Sequence, residues 1–139
     1  MDRSSFKGIE LIVGIGTDIC EVERIAEALE RQGERFRKRI CSERERQLAA
    51  RRTEQAPFYA GRFAAKEACA KALGTGITER VRWTHIEVLA EKTGRPVLHL
   101  SEGALRRGKR LAGGGDLRCH VSIAHDGLFA TAFVILEAE

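Results

Sequence analysis

Apolar residues alternate near the start of this chain. Ile9, Leu11, Val13 and Ile15 fall on one face at period two, with Ile12, Gly14 and Gly16 on the other, so the spacing predicts a strand with one crowded side. Past Asp18 the period lengthens. Val22, Ile25, Ala26 and Leu29 stand at i, i+3, i+4 and i+7, the apolar stripe of an amphipathic helix. Ser42-Glu43-Arg44-Glu45 has the spacing of a capping box and marks a second helix start near Ser42. Pro57 suits the first turn of a third helix running to Leu73, with Gly74 as its stop.

The second half reads mainly as strand. Trp83 to Ala90 is extended in character, Thr93-Gly94-Arg95-Pro96 interrupts it, and Val97 to Leu100 resumes it. Ser101 can cap a short helix through Leu111, and Gly113-Gly114-Gly115 reads as a loop. Cys119 to Ala124 and Leu128 to Leu136 flank Asp126-Gly127, a tight-hairpin signal. Helices early and antiparallel-type strands late predict an α+β fold, with an antiparallel sheet packed against helices.

Composition narrows the class. The chain has 139 residues, 43% hydrophobic and 32% charged, so one compact soluble domain over residues 1–139 is expected. No run approaches the ~18 apolar residues of a membrane span. Met1 to Lys7 lacks an apolar signal core, so residues 1–8 read as a loosely ordered extension and the location as cytoplasmic. Cys20, Cys41, Cys69 and Cys119 show no paired spacing, which fits reduced thiols better than disulfides or a zinc site.

Charge is uneven. The net charge is +4, yet Arg24 to Arg52 alone holds ten basic residues against five acidic ones. Such a cationic face fits an anionic partner, nucleic acid or acidic protein, and equally a solvated helix surface laced with Glu–Arg pairs. A small basic nucleic-acid-binding module is the alternative function. Against it, aromatics make up 6% of the chain and Phe36 alone interrupts the basic stretch, leaving little to stack on bases.

Two short motifs offer carboxylates in unusual settings. In Gly14-Ile15-Gly16-Thr17-Asp18 the acid stands where a strand turns toward a helix, with glycines keeping the approach clear. An ordinary helix-start aspartate is the plainer reading. The motif is neither a Walker loop nor a G-x-G-x-x-G turn. On the third helix Ala60, Ala64, Ala68 and Ala72 recur every four residues, a smooth row for close packing. Phe63, Glu67 and Lys71 form a second row, and Arg62 with Lys66 a third. Glu67–Lys71 is at minimum a surface pair worth a few tenths of a kcal/mol, roughly, but the small and aromatic neighbours imply a partly buried helix where an acid needs a partner. Two carboxylates from separate elements, ringed by Arg and Lys, suit a hard metal ion holding a phosphate-rich ligand. Ser122-Ile123-Ala124-His125-Asp126 is not a hydrolase triad: Ser122 and His125 are too close in one strand, and no G-x-S-x-G elbow is present. Cys119 and His120, adjacent in a strand, face opposite ways, and His85 and His99 read as plain sheet residues.

Together these motifs resemble a known family. Gly14-Ile15-Gly16-Thr17-Asp18-Ile19 with Glu21 and Arg24-Ile25, Arg62-Phe63-Ala64-Ala65-Lys66-Glu67-Ala68 with Lys71-Ala72-Leu73-Gly74, Gly94-Arg95-Pro96, and His120 to Asp126 occur in the order seen in the holo-[acyl-carrier-protein] synthases. These are the small single-domain class of 4′-phosphopantetheinyl transferases. The resemblance implies that fold and a Mg²⁺-dependent transfer of the phosphopantetheine arm of coenzyme A to a serine of an apo acyl carrier protein, with release of adenosine 3′,5′-bisphosphate. It also implies a role in fatty acid biosynthesis and a homotrimer with active sites between subunits, to which burial of the alanine-rich helix against a neighbour would contribute.

By matching position, the resemblance implies that Asp18 and Glu67 hold Mg²⁺ and, with Lys71, form the catalytic set. Arg62 and His125 face coenzyme A phosphates, Lys71 the pyrophosphate, and Arg95 with its turn the nucleotide. Arg24 and Arg31 contact the acidic carrier, with Arg35 and Lys38 added from helix spacing. A metal-associated water or Glu67 would take the serine proton; the residues leave both open, as they do fatty-acid against polyketide carriers. Cys20 stands where larger two-domain transferases carry another acid, so water would complete the metal shell. Ala124 and Asp126 depart from the commonest small-class spelling around His125.

Overall fold

The computed structural model describes residues 11–139. The expected extension over residues 1–8 and the first residues of the expected strand lie outside this range. In chain order the elements are β1 (Leu11–Glu21), α1 (Val22–Gln32), α2 (Glu34–Ile40), α3 (Glu43–Ala50), α4 (Gln55–Ala72), β2 (Ile86–Ala90), β3 (Pro96–Leu100), α5 (Glu102–Leu111), β4 (Leu117–Asp126) and β5 (Phe129–Ala138). β1, β5 and β4 form an antiparallel sheet in that order, and β2 with β3 a separate antiparallel pair.

The alanine-rich helix α4 is the centre of the molecule. Ala60, Ala64 and Ala68 are fully buried and Ala72 nearly so. What covers this row is the chain's own β1, not a second copy. A Cβ added at Gly16 would lie 1.8 Å from the Ala68 carbonyl oxygen, and one at Gly14 2.1 Å from that of Ala72. The two glycines therefore let strand backbone meet helix backbone. Their first role is packing rather than clearing the approach to a ligand.

β1 departs from simple alternation. Ile12 pairs with Glu137 and Gly14 with Leu136, leaving Val13 as an extra residue in a bulge. A bulge shifts facing by one position. Leu11 and Val13 consequently lie toward the helices, while Ile12 and Ile15 both point outward, where strict alternation had separated them. The strand also continues three residues past Asp18, so Asp18 is not a helix-start residue. Glu21 precedes α1 and makes no side-chain cap.

The capping box at Ser42 is present: its hydroxyl accepts from the Glu45 N–H, and Glu45 accepts from the Ser42 N–H. α2 had no separate place in the sequence reading. Gly33, at φ 54°, separates α1 from α2 within the basic stretch, and α2 buries Phe36 and Ile40, four apart. Trp83–His85 is a 3₁₀ turn rather than strand, so His85 lies outside the sheets. The β4–β5 turn is Gly127-Leu128, with Asp126 already paired to Phe129.

Candidate active site

Asp18 sits on the inner face of β1, over α4. Lys71 Nζ donates to Asp18 Oδ1 and to the Thr17 carbonyl, each at 3.0 Å. Glu67 lies one helical turn before Lys71, on the same side of α4. Burial raises the Glu67 pKa above the ordinary carboxylate range, the neighbouring Asp18 carboxylate raises it further, and Lys71 pulls it back. The structure thus brings Asp18, Glu67 and Lys71 together from two elements.

The donor set fits a hard divalent ion. Two carboxylates that repel each other gain from a cation between them, and Mg²⁺ commonly takes only one or two protein carboxylates and keeps waters. Among the described residues no cluster of three or more His, Cys, Asp or Glu competes as a metal site. Burial, then the neighbouring Asp18, push the Cys20 thiol up to about 11.

Arg62 and His125 form a second group. They line a hollow of about 260 Å³ with Arg52, Pro57 and Phe58. The nearly buried Arg62 guanidinium lies 4.2 Å from the Phe58 ring centroid, and its Nε donates to the Val88 carbonyl at 3.3 Å. His125 Nε2 stands 3.0 Å from the Pro57 carbonyl oxygen. A Cβ on Gly61 would come within 2.8 Å of that ring, so the helix glycine makes room for the imidazole.

The two groups lie on different sides of α4, and none of Asp18, Glu67 and Lys71 lines the Arg62–His125 hollow. Arg62 and Glu67 are five residues apart on α4, about 140° around its axis. Arg95 is exposed in the β2–β3 turn and does not line this hollow. Ser122 and His125, three apart in β4, point to opposite faces, which leaves no triad.

A second hollow, of about 310 Å³, runs from Ile19 along α1 and includes Arg24, Ile25, Arg31, Phe36, Arg39 and Phe63. It begins at the residue next to Asp18. Arg24 and Arg31 line it together with Arg39, while Arg35 and Lys38 do not. Sequence reasoning also missed Arg52 and Phe58 beside Arg62. The only signal for these was their place in the basic stretch and one turn before Arg62.

A family model described as the 4′-phosphopantetheinyl transferase superfamily matches residues 14–122. The holo-[acyl-carrier-protein] synthase of Methylobacterium sp. (strain 4-46) is 50% identical over 129 residues, covering 92% of this chain and 96% of that protein. Among solved structures, a Bacillus anthracis holo-(acyl-carrier-protein) synthase in complex with CoA (3′,5′-ADP) superposes with a TM-score of 0.76 at 40% identity, covering 92% of this chain and 98% of that one. The Helicobacter pylori synthase in complex with coenzyme A gives 0.76 at 30% identity, covering 88% and 98%.

Proposed function

This chain belongs to the 4′-phosphopantetheinyl transferase superfamily, and from that premise we propose that it moves the phosphopantetheine arm of coenzyme A onto a serine of an apo acyl carrier protein, releasing adenosine 3′,5′-bisphosphate. The observation that carries this reading is the Asp18–Glu67–Lys71 group opening beside an arginine-bearing groove. The nucleic-acid-binding alternative finds no support in these relatives.

Coenzyme A is polyanionic, and attack at its β-phosphate meets like-charge repulsion. Asp18 and Glu67 would hold Mg²⁺, which would supply positive charge to offset that on the transferred phosphoryl group. Lys71, already drawn to Asp18, places an ammonium beside the diphosphate. Arg62 and His125 hold a further phosphate, and Arg62 is pre-oriented by the Phe58 ring and the Val88 carbonyl. Arg24, Arg31 and Arg39 steer an acidic carrier so that its serine arrives at the β1 end of the groove. Arg95 stands outside both hollows and is assigned to the nucleotide only in an assembled form.

The assembly we propose is a trimer, with Asp18, Glu67 and Lys71 of one copy meeting Arg62 and His125 of the next. Two features support it. The phosphate-binding groups lie on different sides of α4, and the outer sheet face exposes Ile12 (60%), Ile15 (60%), Ile19 (62%) and Phe133 (57%). So large an apolar surface is a partner site by default. No described helix is long and apolar enough to cross a membrane, and all four cysteines are free; a single transferase domain working in the cytoplasm is the reading these support.

The activity is tested by incubating the protein with coenzyme A, Mg²⁺ and a panel of apo carriers. Carrier mass should rise by one phosphopantetheine, and no rise across the panel with folded protein refutes the reading. For the shared site, mixing inactive Asp18→Asn and Arg62→Ala chains should restore turnover through mixed assemblies. Failure of complementation in demonstrably mixed oligomers would place the site within one chain.

A further inference from the structure

Beyond the C-terminal end of α4 lies a hollow of about 650 Å³ between the Thr75–Val81 segment and α5. Arg80, Arg106, Arg107 and Arg110 line it with Thr75 and Thr78, and no Asp or Glu does. None of Asp18, Arg62, Glu67, Lys71 or His125 belongs to it.

Helix stability does not account for this charge. Arg106 and Arg110 are four apart on α5, where like charges oppose the helix. Among the described residues no carboxylate is within ion-pair distance of Arg80, Arg106 or Arg110. Only Arg107 is engaged locally, its Nε donating to the Leu73 carbonyl at 2.8 Å and closing α4. The C-terminal helix dipole favours Arg110 but not Arg80, which arrives from another segment.

The hollow is also held in shape. Gly103 lets α5 rest on the Arg80 backbone, where an added Cβ would fall 1.6 Å from the carbonyl oxygen. Thr78 Oγ1 accepts from the Arg80 and Val81 N–H groups, both at 3.1 Å, which fixes the turn and leaves the hydroxyl hydrogen to donate elsewhere.

We propose that this hollow is a second anion site, separate from the coenzyme A site, for a compact molecule carrying two or more phosphoryl groups. Guanidinium forks match phosphate oxygens two at a time. The volume is that of a small-molecule pocket, and a concave shape suits a compact ligand better than an acidic protein surface.

The probe is inorganic tripolyphosphate, titrated calorimetrically without Mg²⁺ into full-length protein saturated with coenzyme A. One binding event should remain. In Arg106→Gln/Arg110→Gln, whose altered residues are exposed, it should weaken by about tenfold or more, as expected for losing charge-assisted bonds, with coenzyme A affinity unchanged. The proposal is overturned if saturation with coenzyme A abolishes tripolyphosphate binding, or if the double variant binds it as wild type does. It is equally overturned if a polyglutamate peptide binds through these arginines while tripolyphosphate does not.

Discussion

Lys66→Met probes how the helix that carries the candidate site is anchored. Lys66 and Glu45 are both fully buried, with Nζ 2.7 Å from Oε1. The Glu45 carboxylate also accepts from the Ser42 and Val88 N–H groups, each at 2.9 Å, and Lys66 donates to the Trp83 carbonyl at 3.1 Å. One pair thereby ties together α3, α4, β2 and the turn that precedes β2. Methionine keeps most of the volume and removes the ammonium, leaving a carboxylate in an apolar interior. One-sided loss of a buried pair costs about 3–5 kcal/mol, which for a domain of this size is a fall in Tm of roughly 10–20 °C. Lys66→Met/Glu45→Gln removes both charges and keeps one oxygen acceptor, so it should regain about 1–3 kcal/mol over the single variant. Urea denaturation at fixed protein concentration reads both values. A single-variant loss under about 1 kcal/mol, within the range of ordinary substitutions, would refute the anchoring argument. So would a double variant no more stable than the single.

Three further outcomes are expected. Glu67 has a folded pKa above its ordinary 4.5, so its contribution to stability is present below that value and lost as pH rises through the folded pKa. Without divalent ions, wild type should therefore lose stability relative to Glu67→Gln between acid and neutral pH, and parallel urea midpoints would contradict this. Gly16→Ala must displace β1, because its Cβ would sit 1.8 Å from the Ala68 oxygen; a loss of about 1–3 kcal/mol is expected on melting, and an unchanged Tm would show that the contact is soft. Arg24→Glu should lower kcat/KM for an acidic carrier by about tenfold or more at low salt, with the deficit shrinking as salt rises. An unchanged coenzyme A KM would confine that defect to carrier docking, whereas a salt-independent loss would remove the steering role.

Local rules made much of this protein legible in its sequence. The capping box at Ser42, the Pro57–Gly74 limits of α4 and the stripe of α1 each depend on neighbours within one turn. Asp18, Glu67 and Lys71 were legible as a group because motif order carried them. Long-range packing decided the rest. The Val13 bulge answers to β5, so alternation alone misassigned Ile15. Lys66 was only a row-mate of Arg62 on the helix until α3 folded Glu45 against it. That Arg62 and His125 face away from Asp18 follows from the winding of α4 beneath two sheets. A sequence records the chemistry and spacing of its groups, but which of them meet depends on contacts between residues far apart in the chain, and only the folded structure decides those.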